Sequence, residues 1–265
     1  MAVIAGFLSL VVVFFVVGDQ VTKLNQSEFR QVYLNGTENL FNAVVESAQD
    51  KMSGNFSSIT RDQKLTMALF NSNREAIVNS ADPTYTRLSA SGIIDDLVLA
   101  DKNGKVIFVG SGENMSLPKS AEMAIDTGKS INAVELLDTG EMVITSAFLI
   151  FDRADMVGVG VFKKGLKDIA DKIKGATGHD VFFINKSGEV NVATRRTPEF
   201  ISGSKTEERM YEEKEIEGDI HAYGITSVKD IYGEEIGKMV TLENINERAG
   251  ERDAAWKKII MALDY

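Results

Sequence analysis

Two stretches of the chain carry the same alternation of apolar and polar positions. Residues 97–109 (LVLADKNGKVIFV) and 181–193 (VFFINKSGEVNVA) each run apolar, turn polar up to a glycine, and then alternate again. β-Branched and aromatic residues on either side of an Asp/Asn-x-x-Gly turn predict a strand–turn–strand unit in both. Gly104 and Gly188 fall where such a turn needs positive φ, which costs glycine little. A fold repeated once within the chain is therefore the first expectation.

Upstream of the first copy the pattern changes twice. Residues 2–17 (AVIAGFLSLVVVFFVV) are apolar and uncharged, extendable through Met1 and Gly18 toward the roughly 20 residues that a spanning helix requires. With neither a basic leader nor a small-x-small cleavage site before Asp19, residues 1–18 are expected to be an uncleaved membrane anchor rather than a signal peptide. From 19 to about 59, Val21, Leu24, Val32, Leu40, Phe41, Val44, Val45, Ala48 and Met52 recur at helical spacing and predict one long stalk helix. Helices follow near 61–70 and 74–79, and Asp82-Pro83 predicts a turn before 85–91.

After the first hairpin the spacing predicts a helix over 117–127, strands over 133–137, 142–151 and 156–162, and a short helix over 166–174 closed by Gly175 and Gly178. After the second come a polar segment, 195–205, an acidic stretch, 207–219, strands over 220–228 and 235–242, and a helix from 245 to about 263. The turn Asp230-Ile231-Tyr232-Gly233 parallels the turn at Asp152, and Ile236-Gly237 parallels Val157-Gly158, so the repeat extends past the hairpins. The fold class is α+β: a long N-terminal helix and two modules, each a mainly antiparallel sheet flanked by helices.

Charge and composition narrow the chemistry. A net charge of -10 removes nucleic acid as a partner, because phosphate binding draws on clustered Lys and Arg. The absence of cysteine excludes a disulfide scaffold, a thiolate zinc site and a cysteine nucleophile. The sequence holds no serine elbow, no paired histidines on a helix and no phosphate loop, so neither an enzyme activity nor a cofactor is expected. His179 and His221 lack a second ligand at metal spacing, and Gly158, Gly160 and Gly165 lie along a strand at the wrong spacing for a nucleotide loop. The acidic run from Glu207 to Glu217 reads as a solvated face.

With the anchor, the long helix and the repeat in place, the phrases LVLADKNGKVIFVG, MVITSAFLIFDRADMVGVGVFKKGL and ITSVKDIYGEEIGKMVTLENI resemble the double Cache (PAS-like) sensor region of bacterial transmembrane receptors. Methyl-accepting chemotaxis proteins are the commonest carriers of that region; sensor histidine kinases and diguanylate cyclases carry it too. The resemblance implies a membrane-distal module over 60–164 that holds a small-molecule pocket, and a proximal module over 165–245 that relays to the membrane. It further implies a C-terminal helix over 246–265 leading to a second span, a homodimer formed through the long helix, and a location in the inner membrane with the sensor region outside the cytoplasm. A non-signalling anchored binding protein is the competing expectation.

Amino-acid-binding members of that family read Tyr-x-Asp-x-x-Thr-Gly at the turn that is here Thr139-Gly140. Val134 and Leu136 occupy the two key places, leaving Glu135 or Asp138 to substitute through a register shift, and the only Trp, Trp256, lies at the far end. An amino acid held in the family's usual manner is thus not expected, and the ligand class stays open. A pocket would be lined by alternate residues of the central strand, either Val143, Thr145, Ala147 and Leu149 or Ile144, Ser146, Phe148 and Ile150. Ser146 and Phe148, which pair a hydroxyl with an aromatic ring, are the first candidates, with Thr145 beside them. Arg74 and Arg87 are candidates to meet an anionic ligand.

Overall fold

The computed structural model describes residues 30–113, 115–199, 201, 209–247, 250 and 254. The expected anchor, the start of the stalk and most of the C-terminal helix lie outside these residues. The first described element, α1, is helical over residues 30–53. It ends at a turn over residues 54–56, and three helices follow: α2 (Ser57–Thr60), α3 (Gln63–Phe70) and α4 (Arg74–Ala90). Asp62 starts α3 by accepting hydrogen bonds from the Lys64 and Leu65 amides, and Asn73 starts α4 through the Ala76 amide.

One expectation fails here, because α4 runs through Pro83 instead of turning at Asp82-Pro83. A proline in a helix interior removes a hydrogen bond, but Pro83 sits on the exposed side, where water can serve the Asn79 carbonyl. Ile77, Ala81 and Leu88 keep the helix on the sheet through their buried side chains.

The first sheet contains β1 (Asp96–Asp101), β2 (Val106–Val109), β3 (Ile131–Leu136), β4 (Met142–Asp152) and β5 (Asp155–Gly165), in the spatial order β2-β1-β5-β4-β3. Helix α5 (Lys119–Thr127) crosses between β2 and β3, with Pro118 at its N-cap and Gly128 closing it in the left-handed conformation. Helix α6 (Lys167–Thr177) then leads to a second sheet of β6 (Asp180–Asn185), β7 (Val190–Ala193), β8 (Arg209–Ile216), β9 (Asp219–Lys229) and β10 (Glu235–Asn244). Its order, β7-β6-β10-β9-β8, repeats that of the first.

The repeat holds at the level of single residues. Both hairpins slip register between the fourth and fifth residues of the first strand, Leu99 and Ala100 in one and Phe183 and Ile184 in the other. Asp101 accepts from the Asn103 and Lys105 amides, and Asn185, in the matching place, accepts from those of Ser187 and Glu189. Gly158 pairs with Asp101 as Gly237 pairs with Asn185, and a Cβ on either glycine would collide with a carbonyl of the neighbouring strand, Ala100 or Ile184. Strand β8 was hidden in the acidic stretch. Its central charged side chains are exposed on an edge strand, where charge discourages pairing with another chain.

Helix α1 lies along both sheets. Phe41, Val45, Ala48 and Met52 bury their side chains in a continuous core that reaches Phe148 and Phe162 of the first sheet and Phe183 and Met239 of the second. Tyr33 and Leu34 join Tyr211, Ala222 and Ile245 further along the second sheet. Gly224 gives Tyr33 room, since a Cβ there would stand 2.6 Å from its ring. From Phe41 to Met52 the apolar stripe of the long helix is thus packed against the sheets of its own chain, whereas Val32 is exposed.

The sheets also meet directly. The Gly140 carbonyl accepts the amides of Asn185 and Asn191 at 2.9 and 3.1 Å, and the Met142 amide donates to Asn191 Oδ1 at 2.9 Å.

Candidate functional site

Strand β4, expected to be central, lies between β5 and the edge strand β3, with β5 in the middle of the sheet; it is buried on both faces, so both of its alternating sets point inward, each to a different layer. Ile144, Phe148 and Ile150 face the core shared with α1–α4, whereas Ala147 and the half-buried Leu149 face α5. Phe148 stacks among Phe56 and Phe162, with ring centroids 4.3 and 5.0 Å away, and its ring fills the space left by Gly160. Ser146 is on that helix-facing side, and its hydroxyl finds no hydrogen-bond partner among the described residues.

The α5 face differs in kind, because ions are buried in it. Register places Asp96 on β1 opposite Lys163 on β5, Lys163 opposite Thr145 on β4, and Thr145 opposite Ala133 on β3, two residues along the same face from Glu135. Asp96, Lys163, Thr145 and Glu135 are 1%, 7%, 0% and 2% exposed. Burying charge is expensive unless it is paired and hydrogen-bonded.

Asp96 meets that condition through the Leu97 amide (2.8 Å) and the Ser111 amide and hydroxyl (3.0 and 2.7 Å). Glu135 accepts from the Thr145 hydroxyl and, at 3.3 Å, from the Ser120 amide in the first turn of α5. A carboxylate there also benefits from the positive end of the helix. Lys163 Nζ stands 3.9 Å from Asp96 and 3.7 Å from Glu141. The Ser120 hydroxyl, fully buried beside Glu135, has no partner among the described residues. Above the row α5 presents the small side chains of Ala121 and Ala124, and the strands answer with Ala147, Val98 and Val161.

The adjacent lysine sets the standard for a structural role. Lys164 points to the opposite face, where it donates to the Gly92 carbonyl (2.9 Å) and pairs with Asp168 (2.6 Å) and Asp95 (3.7 Å). Its hydrogen bond and charge hold the Asp168 carboxyl below the ordinary carboxylate range, against the raising effect of burial. A depressed folded-state value means that Asp168 contributes stability above the carboxylate range and loses it as pH falls through that depressed value. Asp168→Asn is therefore expected to lower the melting temperature at neutral pH, and the gap from wild type should close in strong acid. A gap that stays constant with pH would remove this role.

The equivalent row of the second sheet reads Asp180, Leu242, Tyr223 and Glu212, so a leucine stands where the first sheet has Lys163, and Phe182, Ile184, Ile225 and Val240 under Ile201 form the rest of that face. Its Tyr223 hydroxyl donates to Glu212, and burial followed by that bond and charge pushes the phenol well above its usual range.

The remaining sequence candidates are scattered. Asp138 is exposed at the β3–β4 turn, where it accepts from the Ser116 hydroxyl at 2.6 Å. Arg74 and Arg87 are exposed in the first and last turns of α4, on the helical side of the sheet. Glu135 and Thr145 are thus the two candidates that the structure joins. Asp96, Lys163 and Ser120 were missed, although Asp95-Asp96 and Lys163-Lys164 are charges set inside strand patterns, a signal visible in the sequence. His179 stacks on Tyr33 at 5.4 Å, and His221 is buried with its ring nitrogen 3.2 Å from the Asp219 carbonyl. Among the described residues no cluster of His, Asp and Glu could hold a metal ion. No helix among them is long and apolar enough to cross a membrane.

An open groove of about 740 Å³ runs along α1 past the edge of β3, walled by Glu38, Glu46 and Asp50 among others. Its walls are largely polar side chains that solvent can reach.

No family model and no curated protein sequence matches the chain. Solved structures do. The sensor domain of the Vibrio cholerae histidine kinase DctB superposes with a TM-score of 0.52 at 14% identity, over 81% of this chain and 98% of that one. The ligand-binding domain of the Pseudomonas fluorescens chemoreceptor CtaA, in complex with L-isoleucine, gives 0.41 at 15% identity, covering 84% and 99%. The sensory domain of the Campylobacter jejuni chemoreceptor Tlp3 gives 0.39 at 15%, covering 82% and 97%. Two PAS-like modules behind a long helix, the double Cache arrangement expected from the sequence, are the fold of this chain and of the DctB sensor domain.

Proposed function

We propose that the chain is the extracytoplasmic ligand-sensing region of a bacterial transmembrane chemoreceptor, and that a small molecule binds between α5 and the first sheet. One observation carries this reading: the row Asp96, Lys163, Thr145 and Glu135 is buried where apolar side chains of similar volume would serve folding as well or better. The matching row of the second sheet carries an apolar side chain, Leu242, in the place of the lysine. In this reading residues 60–164 are the membrane-distal, binding module and 165–245 the proximal relay. Glu135 and Thr145 line the site, Ser146 and Phe148 belong to the core under α1, and Asp138, Arg74 and Arg87 lie outside it. A sensor histidine kinase would use the same region, and the likeness in fold to the DctB sensor domain is compatible with that output.

The test is a thermal-shift screen of the full chain with organic acids, amines, amino acids, sugars and purines. A compound that binds only the folded state raises the melting temperature by mass action, about 2.7 kcal/mol at a hundredfold excess over Kd. The expected result is a saturable rise with one chemical class, weakened by Glu135→Gln. A panel without any binder would overturn the reading.

Dimerisation belongs to the same proposal but needs a different face of α1. Val45 is buried, whereas Val32, Gly36, Ala43 and Ser47 are exposed and small enough for helices to approach closely. Ala43→Cys is expected to cross-link between copies in membranes under mild oxidation. Monomer alone would remove this part.

A further inference from the structure

The two buried lysines of the first sheet differ in what fills their donors. An ammonium has three N–H groups, and buried polar groups are nearly always hydrogen-bonded. Lys164 donates to a carbonyl and to a carboxylate oxygen within 2.9 Å. Lys163 is almost as buried, yet its nearest anionic oxygens stand 3.7 and 3.9 Å away, beyond hydrogen-bond reach, and among the described residues it makes no side-chain hydrogen bond. Its charge is compensated, its donors meet no acceptor among the described residues, and beside the half-exposed Glu141 the ammonium keeps a solvent contact through which a ligand can reach it. Asp96 cannot close the distance without giving up Ser111 and the Leu97 amide. On the same face the Ser120 hydroxyl, fully buried, also lacks a partner among the described residues.

We infer that the small molecule is a short monocarboxylic acid, its carboxylate on Lys163 Nζ and its other end, bearing a hydroxyl or another donor, toward Glu135 and Ser120. The inference rests on the site proposed above. The charge balance selects the class. Lys163 already faces Asp96 and Glu141, so an incoming phosphate dianion would add two negative charges against one ammonium. A carboxylate adds one. A second carboxylate at the far end would meet Glu135, whose oxygens already accept from Thr145 and Ser120 and can still take a donor but not an anion.

Size follows from the sheet. Lys163 and Glu135 lie two strands apart with Thr145 on the strand between, a span of roughly 10 Å at the usual strand spacing. Register floors that span with Thr145, Val143 and Ala133 and leaves Gly165 without a side chain beside it, while α5 brings Ala121 and Ala124 to this face, which favours a short carbon chain.

The experiment titrates the full chain by calorimetry with acetate, propionate, pyruvate and L-lactate, and with L-lactamide, succinate and inorganic phosphate for comparison. At least one monocarboxylate is expected to bind saturably, with lactamide, succinate and phosphate at least tenfold weaker. The double variant Lys163→Met, Asp96→Asn removes the pair together and leaves no lone buried charge; it should weaken that monocarboxylate at least thirtyfold. Glu135→Gln keeps a hydrogen-bonding group for α5 and should improve succinate at least tenfold, a gain that a merely misfolded variant cannot produce. Tighter binding of succinate, phosphate or lactamide than of any monocarboxylate overturns the inference, as does monocarboxylate binding indifferent to both variants. If a compound from the broad screen binds and no monocarboxylate does, the ligand class fails and the sensor reading stands. If nothing binds in either experiment, both fail.

Discussion

Asp96→Ala is expected to cost about 3–5 kcal/mol of unfolding free energy in urea denaturation, because breaking a buried pair leaves Lys163 only the half-exposed Glu141 as a counter-charge. The side chain does two jobs. It faces the Lys163 ammonium inside the sheet, and it holds the loop after β2 through the Ser111 amide and hydroxyl. Asp96→Asn keeps an acceptor for Ser111 and should cost less than the alanine variant. Adding Lys163→Met to Asp96→Ala should restore part of the loss, since the stranded charge is then gone. A loss below about 1 kcal/mol for Asp96→Ala would place it among ordinary exposed pairs and remove the premise of a buried ionic row.

Phe148→Ala is expected to cost about 3–5 kcal/mol, the usual range for deleting a core phenyl ring, because Phe56, Phe162 and the backbone at Gly160 enclose the ring and cannot all close on the space it leaves. Affinity for any ligand of the first module should change less than threefold, measured where the variant is fully folded. A large loss of affinity at unchanged stability would move the binding site to the face under α1. The two variants therefore divide the faces of the first sheet between them, one reporting on ions and the other on packing.

How much of this was legible in the sequence depends on whether the signal was local. The hairpins and the repeat were readable because Gly104 and Gly188, with Asp101 and Asn185 ahead of them, fix the turns through their own backbone bonds. Helix α4 was misjudged at Pro83, since local propensity says nothing of three buried side chains that hold both halves on one sheet. Strand β8 was hidden because an edge strand tolerates charges on both sides of its alternation.

The candidate site was half legible. Glu135 and Thr145 lie close in sequence on paired strands, and they emerged as candidates. Asp96 and Lys163 are far apart in the chain and are joined only by the pairing of β1 with β5, a long-range fact that periodicity cannot carry. The choice between the two faces of β4 likewise depended on which helix covers which side.

The carbonyl of Gly140 has a consequence for how the modules move. It sits at the tip of the hairpin whose strands carry Glu135 and Thr145, and it is clasped by two amides of the second sheet. Sliding β3 and β4 along their axes must either break both bonds or drag Asn185 and Asn191 with them. Asn185 ends β6, and β6 is paired with β10, the strand that delivers the chain to Asn244. The backbone amide of Met142, tied to Asn191, is therefore a built-in gauge: its rate of hydrogen exchange reads how often the two sheets part, independently of whether either one unfolds.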